Sequence, residues 1–167
     1  MPPDTLPEVT LRARPRRPRY LRRLLRRRGD ILAVIAVGGA LGSLGRYGLD
    51  VAFPHGPRSL PWGTAIANVS GAVALGMLMV LVVDIWPTTR LVRPFLGVGV
   101  IGGYTTFSTA MLETRSMLAG GAPALAAAYL FGSVLVGLAG VAIGIFTSRW
   151  AVSLMRARRH RRTRRSS

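Results

Sequence analysis

Apolar positions along this chain fall into four long blocks, at about residues 31–53, 62–86, 94–118 and 122–147. Each reaches the ~20 residues that a helix needs to cross a hydrocarbon core of about 30 Å. The breaks between them are short and carry turn residues: Pro54-His55-Gly56-Pro57, Trp86-Pro87-Thr88-Thr89 and Gly120-Gly121-Ala122-Pro123. Trp62, Trp86 and Trp150 stand at the ends of blocks, where an aromatic belt belongs. The pattern predicts an all-α membrane protein of four transmembrane helices.

The third block is unlike the others. Its middle reads Gly102-Gly103-Tyr104-Thr105-Thr106-Phe107-Ser108-Thr109, where an ordinary span would continue in Leu, Val and Ile. Paired glycines cost a helix about 1 kcal/mol each against alanine, and Thr and Ser cap a helix that restarts. The stretch predicts two half-helices with an unwound elbow at mid-membrane. Such an elbow offers carbonyls to cations and N–H ends to anions. The same residues also suit a close-packed helix face, so an ion site and a packing face both stand on this stretch alone.

Charge divides the chain into a tail at 1–30, a membrane domain at 31–148 and a second tail at 149–167. All 23 basic residues are arginine, and 18 of them lie in the tails, so the net charge of +17 describes the tails. The N-terminal segment reads as irregular to about Tyr20, with an interfacial helix after it. A membrane span follows it at once, which favours an anionic leaflet over nucleic acid as its partner. Four spans put both tails and the 86–93 loop on one side, and the positive-inside rule makes that side the cytoplasm. With no cysteine there is neither a disulfide framework nor a thiolate metal site. His55 and His160 fall in a loop and a tail, so no hydrolytic constellation exists and the chain is not expected to be an enzyme.

Few residues inside the spans carry chemistry. Gly38, Gly42 and Gly45 make a small-residue face, followed by Arg46 with Asp50 one turn on as a local partner. The position of Arg46 suits a structural or vestibule role. Asn68 in span two is either interhelical glue or a donor to an anion, and Thr64 and Ser70 extend its polar stripe. Glu113 reads as part of a local ion pair, with Arg115 nearby, or as an interfacial group, and Tyr129 and Ser133 share a face of span four. Amide, hydroxyl and ring-edge groups with almost no buried acid suit a small, strongly hydrated anion.

The order of these motifs resembles the Fluc/CrcB fluoride channels. Gly38-Gly39-x-x-Gly42-x-x-x-Arg46-Tyr47 is similar to their opening motif, Gly63-Thr64-x-x-x-Asn68-x-x-Gly71 to their second, and the Gly102–Thr109 stretch to their most diagnostic one. Tyr129-x-x-x-Ser133 fits the fourth. The resemblance covers about residues 31–147 and implies passive fluoride export from the cytoplasm across the plasma membrane. It implies an antiparallel dimer with two pores along the subunit interface. It implies a central Na⁺ held by main-chain carbonyls, here of Gly102 and Thr105. Asn68, Thr106, Phe107, Ser108, Tyr129 and Ser133 are then the pore positions, with Arg46 and Glu113 beside them. Where the family pattern reads Phe-Ser-Thr-Phe, this chain has Phe107-Ser108-Thr109-Ala110 and lacks the second ring. The lopsided arginines favour a heterodimer with an inverted paralogue over a homodimer. A non-conducting, partner-dependent paralogue and a proton-coupled small multidrug exporter are the competing readings.

Overall fold

The computed structural model describes residues 18–84 and 90–163, with side chains described for 28–82 and 90–156. Every element among the described residues is helical. Helix α1 (Pro18–Ala52) and α2 (Trp62–Asp84) are followed by a π-helical segment (Pro94–Ile101) that runs into one α-turn, α3 (Gly102–Tyr104). After a short gap come α4 (Ser108–Ala119) and α5 (Pro123–Thr163). Four stretches are long and apolar enough to cross a membrane: Arg28–Ala52, Trp62–Val82, Pro94–Ala119 and Pro123–Arg156. Trp86 and residues 1–17 lie outside the described residues.

The compositional borders of the tails are not borders in the backbone. Helix α1 begins at Pro18 and continues through Asp30 into the span, while α5 continues past Thr147 to Thr163. At 35 and 41 residues these helices are about 52 and 62 Å long, well beyond the ~30 Å core. Asp30 on α1 pairs with Arg90, whose Nη1 lies 3.4 Å from the carboxylate, so the tail-side end of α1 is tied to the segment before the π-helix.

Packing is set by small residues. Helix α1 lies against the π-helical segment and α3, and α2 lies against α5. A Cβ added at Gly42 would collide with the Val100 carbonyl, and one added at Gly103 would collide with the Gly39 carbonyl. Within the stretch expected to unwind, the Gly102-Gly103 pair is therefore not the point of interruption, which falls later, at Thr105–Phe107. Both residues are helical, and Gly103 serves the close approach to α1. The π-winding fits the same crowding: the Gly102 N–H reaches back five residues to the Gly97 carbonyl and also to Gly99.

At the opposite end from Asp30, α4 finishes in a Schellman turn. Gly121 adopts φ +77°, and the N–H groups of Gly121 and Ala122 bond the carbonyls of Leu118 and Met117. Arg58, in the loop between α1 and α2, donates from Nε to the Gly120 carbonyl at 2.6 Å and fastens that loop to the turn.

Candidate functional site

The third span changes course after Tyr104. Thr105 is extended, with φ −85° and ψ 151°, and helix resumes at Ser108. A partner from another helix causes the break. Asn68 of α2 accepts the Thr106 N–H on Oδ1 at 2.8 Å and donates from Nδ2 to the Thr106 carbonyl at 2.9 Å. The carboxamide thus pairs with one residue of main chain as a strand neighbour would. The Thr106 N–H also fixes which end of the carboxamide is oxygen. One of the two Nδ2 protons remains after these bonds.

The restarting helix is capped locally. Thr106 Oγ1 accepts the Thr109 N–H at 3.2 Å and lies 3.1 and 3.3 Å from the hydroxyls of Thr109 and Ser108. Gly102 and Thr105 are two of the carbonyls that lose their helical partners at the break. In a continuous helix Gly102 would receive the Thr106 N–H and Thr105 would receive the Thr109 N–H. Those amides are turned instead to Asn68 and to Thr106 Oγ1. Two hard oxygen donors without their usual partners fit an alkali cation. Among the described residues no group of three or more His, Cys, Asp or Glu is placed to hold a metal.

Asn68 and Ser133 both border two grooves. One, of about 420 Å³, also takes in Thr105, Thr106, Phe107 and Ala110. The other, of about 470 Å³, takes in Ser70 and Tyr129. Phe107, on the wall of the first groove, is 73% exposed. Ala110 is 4% exposed and packs in a cluster with Met117, Ala126 and Tyr129.

One helical turn from Asn68 and Ser133 lies a second polar level. Thr64 on α2 and Tyr129 on α5 each precede those residues by four positions, and both hydroxyls donate to Glu113 of α4, at 2.6 and 2.9 Å. Glu113 is only 11% exposed, with His55 Nε2 at 3.8 Å. Arg115 is exposed, and the ion-pair neighbour of Glu113 is His55 instead. Arg46 does meet Asp50, Nη1 to Oδ2 at 3.9 Å, and its Nε is buried without a hydrogen-bond partner. It stands apart from the Asn68 level.

Sequence reasoning set His55 aside as a loop residue and did not join Glu113 to Thr64. The i,i+4 spacing of Thr64 and Asn68 was the available signal. The closure of the α1–α2 loop over α4 had none.

A family model described as "CrcB-like protein, Camphor Resistance (CrcB)" matches residues 33–145, which include the break, both grooves and most of each apolar stretch. The chain belongs to the CrcB family. It is 50% identical over 126 residues to "Fluoride-specific ion channel FluC 2" of Nocardia farcinica, covering 75% of this chain and 90% of that one. It is 45% identical over 142 residues to FluC 3 of Streptomyces avermitilis, at 84% and 70% coverage, and 37% identical over 124 residues to FluC 1 of Streptomyces coelicolor, at 74% and 80%. CrcB relatives with these names are ion channels and not enzymes. Membership together with four apolar helices makes this a multi-pass membrane protein.

Proposed function

We propose that this chain is a fluoride channel subunit that lets fluoride leave the cytoplasm passively. The observation that carries this reading is the Asn68–Thr106 pairing, in a chain 50% identical to a protein named a fluoride-specific ion channel. The pairing holds the carboxamide rigid and leaves one N–H between two grooves. Phe107 and Ser133 line the same groove, with the Ser133 hydroxyl donating to the Leu130 carbonyl at 2.9 Å. Fluoride gives up its hydration only to a set of donors fixed in advance, and such donors cost little reorganisation when the ion arrives.

The finer features follow from that reading. The interruption at Thr105–Phe107 lies at mid-membrane, where irregular backbone survives because protein buries it or an ion pathway runs along it. Na⁺ sits on the Gly102 and Thr105 carbonyls as a structural ion. An inverted second subunit covers Phe107 and closes the grooves into pores. Both termini lie in the cytoplasm, and the arginine-bearing ends of α1 and α5 meet anionic lipid. Because the charge bias opposes dual insertion, the inverted subunit is a paralogue. Streptomyces avermitilis has relatives named FluC 2 and FluC 3, so a single organism carries more than one member.

The test is fluoride efflux from liposomes holding this chain alone and with any paralogue, read with a fluoride electrode. Flux in one of the two preparations is expected, and none in either would refute the function.

A further inference from the structure

The end of the bundle opposite the Asp30–Arg90 pair holds a titratable contact that the channel reading does not use. His55 closes over Glu113 from the α1–α2 loop. Its Nε2 lies 3.8 Å from Oε1, and a cavity of about 140 Å³ between loop and helix is lined by His55, Ser59, Glu113, Ser116 and Met117. Water takes about 30 Å³ per molecule in the liquid, so this space admits solvent and protons. Glu113 is not isolated from the pore level. Tyr129 forms part of the wall of the groove that contains Asn68, and its hydroxyl donates to the same carboxylate.

The other ionisable groups at this end are committed or turned away. Asp50 pairs with Arg46, Arg58 donates to the Gly120 carbonyl, and Arg115 is exposed on α4. Among the described residues, the basic side chain within 4 Å of Glu113 is thus a histidine, charged only when protonated. Histidine is the side chain whose charge ordinarily changes between pH 5 and 8.

We infer that His55 governs the charge presented by Glu113 at this end of the pathway, so that anion passage rises when His55 is protonated. The inference rests on the fluoride-channel reading. With His55 neutral, the carboxylate carries an uncancelled negative charge one helical turn from the anion site and opposes an entering anion. With His55 protonated, the two charges cancel at short range and the barrier falls. The effect is therefore full at low pH and is lost as pH rises.

Two measurements test it. In liposomes with equal pH inside and out, fluoride efflux corrected for protein-free vesicles should be about threefold faster at pH 6 than at pH 7.5, a modest effect for a charge at a focusing mouth. His55→Gln should keep the pH 7.5 rate and lose the increase. Efflux from His55→Gln that still rises like the wild type would overturn the inference while leaving the channel reading intact. The second measurement removes the carboxylate. Efflux through Glu113→Gln at pH 7.5 should rise to about the wild-type rate at pH 6. A Glu113→Gln variant that conducts no faster than the wild type at pH 7.5 would overturn the inference while leaving the channel reading intact.

Discussion

Asn68 and Thr106, 38 residues apart in sequence, exchange two hydrogen bonds of 2.9 and 2.8 Å, and the third span bends where they meet. Removing the carboxamide strands the Thr106 N–H and carbonyl in a part-buried site. Leaving such a group unpaired costs ~1–3 kcal/mol. Asn68→Ala should therefore lower the thermal midpoint in detergent by several degrees. Asn68→Asp keeps an acceptor for the Thr106 N–H but loses the donor, so it should fall between the wild type and Asn68→Ala. Equal midpoints for Asn68→Ala and the wild type would mean that the pairing carries no stability.

Glycines on α2 and α5 distinguish packing within the chain from the association proposed above. A Cβ at Gly144 would collide with the Val73 carbonyl, and one at Gly76 with the Val141 carbonyl. Overpacking of that kind costs ~1–3 kcal/mol. Gly132 and Gly137 have nothing within 4 Å in the subunit. Gly144→Ala should lower the yield of folded monomer, whereas Gly137→Ala should leave the monomer folded and weaken association. Size-exclusion chromatography with light scattering reads both. Association unchanged in Gly137→Ala would remove this face from the proposed interface.

These glycines also show where sequence reasoning stopped. The four spans were legible because apolar blocks of membrane length leave few alternatives. The elbow was legible as the stretch Gly102–Thr109, but not the residues inside it at which helix stops. Gly102-Gly103 has the composition of a break, yet both residues are helical because α1 needs their missing side chains. The break falls at Thr105 because Asn68 captures the Thr106 N–H, and a partner on another helix leaves no local trace. The partners of Glu113 were hidden for the same reason: the hydroxyls that donate to it, Thr64 and Tyr129, come from two other helices. The π-winding at Pro94–Ile101 likewise depends on the packing of α1.

Arg58 offers a test of the loop closure. Its Nε donates to the last turn of α4 at 2.6 Å from an exposed position, so the bond is worth ~1 kcal/mol net. Arg58→Ala should lower the thermal midpoint slightly and make the α1–α2 loop more open to protease, with fluoride flux at pH 7.5 near that of the wild type. A loop no more sensitive to protease than the wild type would show that the clasp does not hold it.

The chain contains no cysteine, so single introduced cysteines report orientation cleanly. Ser59→Cys in intact cells should react with an impermeant maleimide, and Ser166→Cys should react only after permeabilisation, because 18 arginines resist crossing. Reaction of Ser166→Cys in intact cells with no paralogue present would show dual insertion and remove the argument for an inverted paralogue.

The central claim is that the fixed Asn68 amide selects and passes fluoride. Its most direct measurement is electrode-recorded fluoride efflux from proteoliposomes, with chloride efflux measured in parallel, for the wild type, Asn68→Ala and Ser43→Ala. Ser43 is a fair control because its hydroxyl only touches the Gly103 carbonyl, at 3.4 Å. The account predicts fluoride flux well above chloride in the wild type, at least a tenfold loss in Asn68→Ala, where a loss of ~1.4 kcal/mol in ion stabilisation suffices, and near-normal flux in Ser43→Ala. Fluoride flux in Asn68→Ala equal to that of the wild type would contradict it.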